Sequence, residues 1–186
     1  MDKTEIVKER IINSATELIE QNNGEVKNIT ARMIAQRAGV GLGLINYHFK
    51  SKDNLITVCV QRIIGNVVKG FHDEREYATD NERLTAWAVH VFDFLYDHPA
   101  VSRISILGDF HDYSPSCNSV LTQRGFMHAL SENNENNSTL IFMLTSVMQA
   151  AFLGSDTVGR MLGFDLENPE QRALFIKKLV DILMKD

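Results

Sequence analysis

The sequence predicts an all-α protein. Apolar residues recur at helical spacing almost throughout the 186 residues, and no strand pattern stands out. Capping Ser, Thr and Asn residues open these runs and Gly closes several of them. A hydrophobic share of 44% can bury a core, and with only three prolines long disorder is not expected.

The elements follow in order. Val7, Ile11, Ala15, Leu18 and Ile19 form one stripe on a first helix, which stops near Asn22-Asn23-Gly24. Thr30 caps a second helix, because its hydroxyl satisfies a backbone N–H left open at the start. Met33, Ile34 and Ala38 face inward from it, and Gly39 ends it in a left-handed turn. Val40 follows as an apolar plug under that turn, and a short third helix covers about Gly41–His48. Ser51 caps a long fourth helix with Ile56, Val60, Ile63, Ile64, Val67 and Phe71 on its inner stripe, ending among His72–Arg75. From Asp80, Leu84, Ala88, Val91, Phe92 and Leu95 line a fifth, which stops at His98-Pro99.

Helices near Ala100–Leu107 and Asn118–Leu130 come next, with a loop from Gly108 to Ser116 between them. A loop rich in Asn and Glu, Ser131–Asn137, precedes an apolar helix over Thr139–Gly154 that continues to Met161. Asn168-Pro169-Glu170-Gln171 opens the last helix: Asn caps, Pro takes the first helical position, and Gln closes a capping box. That helix runs to about Met184. There is no internal repeat and no low-complexity tract.

Composition excludes several classes. Cys59 and Cys117 lie far apart with no metal-ligand spacing, and are read as ordinary thiols of a reducing compartment. The opening MDKTEIVKER lacks the apolar region of a signal peptide. The longest uncharged run, Asn136–Ser155, contains Thr145, Ser146 and Gln149, so it reads as a buried helix of a soluble, cytoplasmic protein. His90, His98, His111 and His128 show no metal spacing and are read as scattered surface or core residues; Ser102 and Ser105 sit in no nucleophile motif. No catalytic constellation, metal or cofactor is expected, and the chain is not read as an enzyme.

Charge distribution is more informative than net charge. Val26 to Lys52 holds Lys27, Arg32, Arg37, Lys50 and Lys52 with no Asp or Glu, so it carries +5. The whole chain is −5, which leaves −10 for the remainder. A basic patch on an acidic body turns one face towards a polyanion. A solvated basic face is the plainer alternative; its place on a helical hairpin favours nucleic acid. Two helices that cross at a tight turn need a small residue, a sterically free turn residue and an apolar residue beneath, and Ala35, Gly39 and Val40 supply them in that order.

The stretch Thr30-Ala31-Arg32-Met33-Ile34-Ala35-Gln36-Arg37-Ala38-Gly39-Val40, with Gly43 through Lys52 and Asp53-Asn54-Leu55-Ile56, resembles the TetR family of bacterial one-component repressors. The resemblance covers about the first third of the chain. It implies a DNA-binding helix-turn-helix domain over 1–52, with the motif at about 30–49. It also implies a helical ligand-binding and dimerisation domain over 53–186, joined through the long fourth helix.

Carried over position by position, Thr30, Arg32 and Lys52 contact phosphate, with Lys50 beside them. Tyr47 and His48 contact phosphate or base edges, and Gly41, Leu42, Gly43 and Asn46 face the floor of the groove. Phe49 is expected in the core and Tyr47 exposed. Family members often carry Ser, Thr, Lys or Arg where Gly41 and Leu42 stand, and Tyr where Asn46 stands. Asn46 is therefore the residue expected to pair with adenine, and Leu42 the one to lie against thymine methyls.

In the later helices Trp87, Phe92, Tyr96, Phe110, Phe126, Met127, Phe142 and Met148 are the candidate lining of a small-molecule pocket, although most such residues build core. The resemblance implies a homodimer through the last two long helices, where Ala150, Ala151 and Gly154 permit close approach and Phe175, Leu179, Ile182 and Leu183 add an apolar stripe. The expected function is a sequence-specific DNA-binding transcriptional regulator, read as a ligand-responsive repressor of a pseudo-palindromic operator. The alternative is a helical small-molecule-binding or protein-interaction module without specific DNA binding.

Overall fold

A computed structural model describes residues 3–70, 72–132 and 134–185, without the side chains of Lys3 and Lys69. The described residues form helices and no strands. The helices are α1 (Lys3–Gln21), α2 (Ala31–Ala38), α3 (Leu42–Phe49), α4 (Lys52–Gly70) and α5 (Asp80–Asp97). They continue as α6 (Pro99–His111), α7 (Asn118–Met127), α8 (Glu135–Leu153), α9 (Ser155–Leu162) and α10 (Pro169–Leu183).

By compactness the chain divides into two units. The first comprises Met1–Val67 with His98–Asp112, and the second Val68–Asp97 with Tyr113–Asp186. The division expected at 52/53 is one of function; packing groups most of α4, and all of α6, with the N-terminal helices.

The first unit is built on the inner stripe of α1. Ile11, Ile12, Ala15, Leu18 and Ile19 are buried, together with Ile34, Ala35 and Ala38 of α2 and Ile45 and Phe49 of α3. Leu55, Ile56, Cys59, Val60 and Ile64 of α4 and Val101 and Ile106 of α6 complete that core. Met33 departs from expectation. It is exposed, because the buried face of α2 is the i, i+1, i+4 set Ile34, Ala35 and Ala38, and Met33 falls outside that arc. Val67 is also exposed, and Phe71 lies outside the described residues.

Helix α1 ends as its sequence indicates: Gly24 has φ +82 and its N–H reaches Ile19 O at 2.8 Å. A Cβ on Gly24 would also meet Val101 Cγ1 at 3.0 Å, so this glycine serves the contact with α6 too. Helix α6 runs four residues into the expected loop, to His111, and 112–116 remain irregular. Its inner residues Ser102, Ser105, Ile106 and Asp109 remain buried, and Gln61 of α4 donates to Ser105 O (3.3 Å) and Asp109 Oδ1 (2.6 Å). Those contacts come from residues more than 40 positions away and hold a helix that local signals end early.

In the second unit α5 packs on α10 and α7 on α8. Phe92 lies 5.2 Å from Tyr96 and 5.7 Å from Phe175, while Tyr96 lies 5.3 Å from Phe152. Arg172, nearly fully buried, is held by three hydrogen bonds and an aromatic face. Its Nε donates to Asp93 Oδ1 (2.7 Å), its Nη1 to Leu166 O and Glu167 O (3.2 and 3.0 Å), and its guanidinium lies 4.6 Å from the Tyr96 ring centroid. Stranding such a buried charge costs about 3–5 kcal/mol.

The apolar helix does not continue to Met161. The chain bends by 111° between α8 and α9 at Gly154, whose carbonyl accepts from Thr157 and Val158 to start the new helix. No single described helix is long and apolar enough to cross a membrane. The last helix begins as its cap dictates: Asn168 Oδ1 accepts from Glu170 N (2.9 Å) and Gln171 N (3.3 Å).

The irregular segment 72–79 is organised by one carboxylate. Asp73 accepts from Arg75 N, Nε and Nη2 (3.1, 2.8 and 2.8 Å), Tyr77 OH (2.6 Å) and Trp87 Nε1 (3.0 Å). The Arg75 guanidinium foremost, then the Tyr77 hydroxyl, hold its carboxyl well below the usual carboxylate range. A depressed carboxyl pKa contributes stability above the unfolded value and loses it as pH falls below that value. The melting-temperature gap between wild type and Asp73→Asn is therefore expected to be widest at neutral pH and to close as the pH drops below about 4. Circular dichroism melts across that range measure it; a gap independent of pH would remove the charge from the argument.

Candidate nucleic-acid interface

Thr30 begins the site with extended backbone (φ −104, ψ 154), and its Oγ1 accepts from Met33 N at 3.2 Å. That bond uses the oxygen as acceptor and leaves the hydroxyl proton to donate outward. At the other end of α2, Gly39 takes φ +62 and ψ +39, and Val40 N–H returns to Ala35 O at 3.0 Å. This Gly-terminated cap turns the chain within a few residues, so α3 starts close to where α2 ends.

Only Ile45 and Phe49 of α3 are buried, and His48 is half-buried. Tyr47 is 76% exposed, so the expected split between Tyr47 outside and Phe49 inside holds. Gly41, Leu42, Gly43, Leu44 and Asn46 are exposed as well. Helical phase explains most of the pattern: Ile45 and Phe49 are one turn apart and share a face, Gly43, Leu44, Asn46 and Tyr47 lie off it, and Leu42, which shares the phase of Ile45, is exposed at the first position of the helix. Leu44, exposed at 38%, belongs to this outer surface although an apolar residue beside Ile45 reads as core from sequence. The signal that could have found it is the phase, since Leu44 lies 100° from Ile45 on the side away from Phe49.

A tight turn joins α3 to α4. Lys50 has φ +66 and ψ −42, and Ser51 N–H donates to Phe49 O at 2.8 Å, a three-residue turn centred on Lys50. A lysine held there stores about 1–3 kcal/mol of backbone strain. The turn leaves the Lys50 side chain exposed. Ser51 then caps α4, its Oγ accepting from Asn54 N at 3.1 Å.

The five cations of this segment have different fates. Arg37 is committed to α1, donating to Glu17 Oε2 (3.0 Å) and Gln21 Oε1 (2.7 Å). Lys52 is half-buried at the first turn of α4, 3.8 Å from the exposed Asp53 carboxylate. An exposed pair of that length is worth about 0–1 kcal/mol and yields readily to phosphate. Among the described residues Arg32, Lys27 and Lys50 enter no ion pair. Thr30, Arg32, Lys50 and Lys52 therefore lie on the elements either side of α3, whose exposed residues include Leu42, Gly43, Leu44, Asn46 and Tyr47.

The candidate pocket residues do not gather into one lining. Phe92, Phe126 and Met148 are buried in the second unit, with Tyr96, Trp87 and Met127 partly so. Phe110 and Phe142 are exposed rather than enclosed. On α6 the inward positions beside Phe110 belong to Ile106 and Asp109, and on α8 Ile141 takes the inward position beside Phe142. Phe110 moreover belongs to the first unit. Trp87 is engaged by Asp73. The Tyr96 hydroxyl is buried with no hydrogen-bond partner among the described residues, and burial pushes its pKa up to about 12, so it stays protonated.

Similarity to known proteins follows the same boundaries. The family pattern of bacterial regulatory proteins, tetR family, matches residues 11–59, which run from α1 into α4. No curated protein matches the chain. A TetR transcriptional regulator from Rhodococcus sp. RHA1 is 17% identical with a TM-score of 0.66, over 99% of this chain and 98% of that one. A tetR-family transcriptional regulator from Streptomyces coelicolor is 18% identical, with a TM-score of 0.58 over 98% and 80% of the two chains. A TetR transcription regulator from Haloarcula marismortui ATCC 43049 is 15% identical, with a TM-score of 0.53 over 96% and 98%. At those identities the structures share a fold.

Gly43 gives a direct test of the outer face. A Cβ on Gly43 would meet nothing within 4 Å, and its φ is not left-handed, so the fold does not require glycine there. Gly43→Ala is expected to stabilise the protein by about 0.5–1 kcal/mol, since glycine is unfavourable in a helix. The same substitution is expected to weaken duplex binding, because a methyl would stand between the α3 backbone and the groove. Thermal melts and binding isotherms read the two effects separately; a stabilised variant with unchanged binding would mean that this backbone does not approach DNA.

Proposed function

The chain belongs to the tetR family of bacterial regulatory proteins, and from that premise we propose that it is a homodimeric repressor whose hold on a pseudo-palindromic operator is released by a small-molecule effector. The chain is a DNA-binding transcriptional regulator by family. The observation that carries the operator-binding reading is the outer face of α3. Its side chains are exposed, and cations without ion-pair partners flank it in a protein of net charge −5.

In this reading residues 1–52 form the DNA-binding domain and residues 53–186 the effector and dimerisation domain. Thr30, Arg32, Lys50 and Lys52 hold phosphates; Lys52 does so with the open amides at the start of α4. Tyr47 and His48 reach phosphate or base edges. Gly41, Leu42, Gly43 and Asn46 meet the groove floor, where Asn46 offers a carboxamide that pairs bidentately with adenine.

Dimerisation is assigned to α8 and α10, which pack on each other within the second unit. Met143, Val147 and Ala150 of α8 and Leu174 and Ile182 of α10 are exposed and apolar, which supports that assignment; Ala151 and Phe175 are buried within the chain. Two recognition helices in such a dimer enter successive major grooves about 34–36 Å apart.

The effector site is assigned near Phe92, Tyr96, Phe126 and Met148. The unpartnered Tyr96 hydroxyl supports it, because a buried polar group without a partner costs about 1–3 kcal/mol that a hydrogen-bonding effector recovers. Helix α4 is the route between the two activities, since Lys52–Val67 lie in the first unit and Val68–Gly70 in the second. An effector acts by shifting the population towards a half-site spacing that no longer fits DNA.

A salt titration of binding to a short random duplex tests the reading, with tight, steeply salt-dependent binding expected. No binding at low salt would leave a helical ligand-binding or interaction module. In the same assay Arg32→Ala is expected to weaken binding to every sequence alike and to flatten the salt slope by about one unit. An unchanged slope would remove Arg32 from the phosphate contacts. Asn46→Ala is expected to cost about 1–3 kcal/mol on a selected operator and to relax preference at one base pair. Equal losses on operator and random duplex would mean that Asn46 reads no base.

A further inference from the structure

We propose that the recognition helix selects its operator through thymine C5-methyl groups, contacted by Leu42 and Leu44. This rests on the operator-binding reading above. The N-terminal residues of a recognition helix are the ones that reach base edges. In α3 those residues, with the cap before them, are Gly41, Leu42, Gly43 and Leu44, and none carries a hydrogen-bonding side chain.

Leu42 and Leu44 are not core residues out of place. They stay 39% and 38% exposed, while Ile45 between them and Asn46 is fully buried. Leu44 is held outward by the burial of its neighbour Ile45, and Leu42, one turn before Ile45, stays exposed because it opens the helix. The surrounding cations settle what covers them. Arg32 of α2, Lys50 after α3 and Lys52 of α4 make the surface complementary to a polyanion, so an apolar helix start between basic elements fits a nucleic-acid groove better than an apolar protein partner.

Within the major groove each base edge presents hydrogen-bonding groups, and the one apolar feature is the thymine methyl. A leucine against that methyl removes apolar surface of both from water. The same leucine pressed on guanine N7 and O6, or on the cytosine amino group, strips those groups of water and returns no bond. The helix start thus favours T·A pairs by contact and disfavours G·C pairs by desolvation, which is discrimination by both attraction and penalty. Asn46, one turn beyond Leu42, reinforces it, since its carboxamide pairs with the adenine of a T·A pair.

The test uses the full-length protein and duplexes enriched from a random library by that protein. The selected duplex is then synthesised with deoxyuridine in place of thymidine in the half-sites, which removes only the methyls. Each contacted methyl is expected to be worth about fourfold in affinity, so that the deoxyuridine duplex binds at least about tenfold more weakly. Leu42→Ala and Leu44→Ala, both at exposed positions, are expected to fold normally by circular dichroism. Each is expected to shrink the difference in affinity between the thymidine and deoxyuridine duplexes.

Equal affinity for the thymidine and deoxyuridine duplexes overturns the proposal. So does a full difference retained in both leucine variants. If the library yields no enrichment and random duplex is not bound at low salt, the operator-binding reading fails instead, which is a separate result.

Discussion

A helix of eight residues does not persist in water on its own, and the recognition surface of this protein is such a helix. Two side chains hold it. Ile45 and Phe49 are buried in the N-terminal unit, and through them α3 draws its stability from α1, α2 and α4 rather than from its own propensity, which two glycines reduce. The arrangement releases every other position of α3 from structural duty. The outer face can change its chemistry without cost to the core.

The two turns that flank α3 are the second half of that constraint. On one side Gly39 adopts a left-handed conformation at no steric cost. On the other Lys50 adopts positive φ without glycine's freedom, in a turn closed by the Ser51 to Phe49 bond. The strain is offset by burial of Phe49 just before it and by the Ser51 cap of α4 just after it. A lysine retained at such a position keeps a cation beside the recognition face. Arg37 has a different fate: its guanidinium spans to Glu17 and Gln21 and so ties α2 to α1, while Arg32 and Lys50 enter no ion pair among the described residues.

In the second unit single polar residues take the organising role. Arg172 gathers Asp93, two loop carbonyls and the Tyr96 face, and Asp73 gathers four hydrogen bonds from a segment with no secondary structure and a fifth from Trp87 of α5. Each is a charge whose side chain is largely withdrawn from water and which several partners hold, as a low-dielectric site requires. Around Arg172 the aromatic residues interlock. The cluster that reads from sequence as pocket lining is in large part occupied by its own members, and the buried Tyr96 hydroxyl is the polar atom among them left without a partner.

The sequence by itself determined what neighbouring residues decide among themselves. The caps at Thr30, Ser51 and Asn168 and the left-handed Gly39 all depend on atoms within about one helical turn, and each stands in the structure as its residues indicate. Tertiary structure decided what needs partners far along the chain. It turned Met33 outward, because the buried face of α2 is Ile34, Ala35 and Ala38. It extended α6 into an expected loop, because Gln61 bonds its last turns. It broke the apolar helix at Gly154 and left Phe110 and Phe142 exposed. It also divided five cations of like charge into one that binds the fold and others that face outward. Periodicity shows that a face is apolar; only packing decides which residues of that face are covered, since coverage is set by neighbours that sequence spacing does not contain.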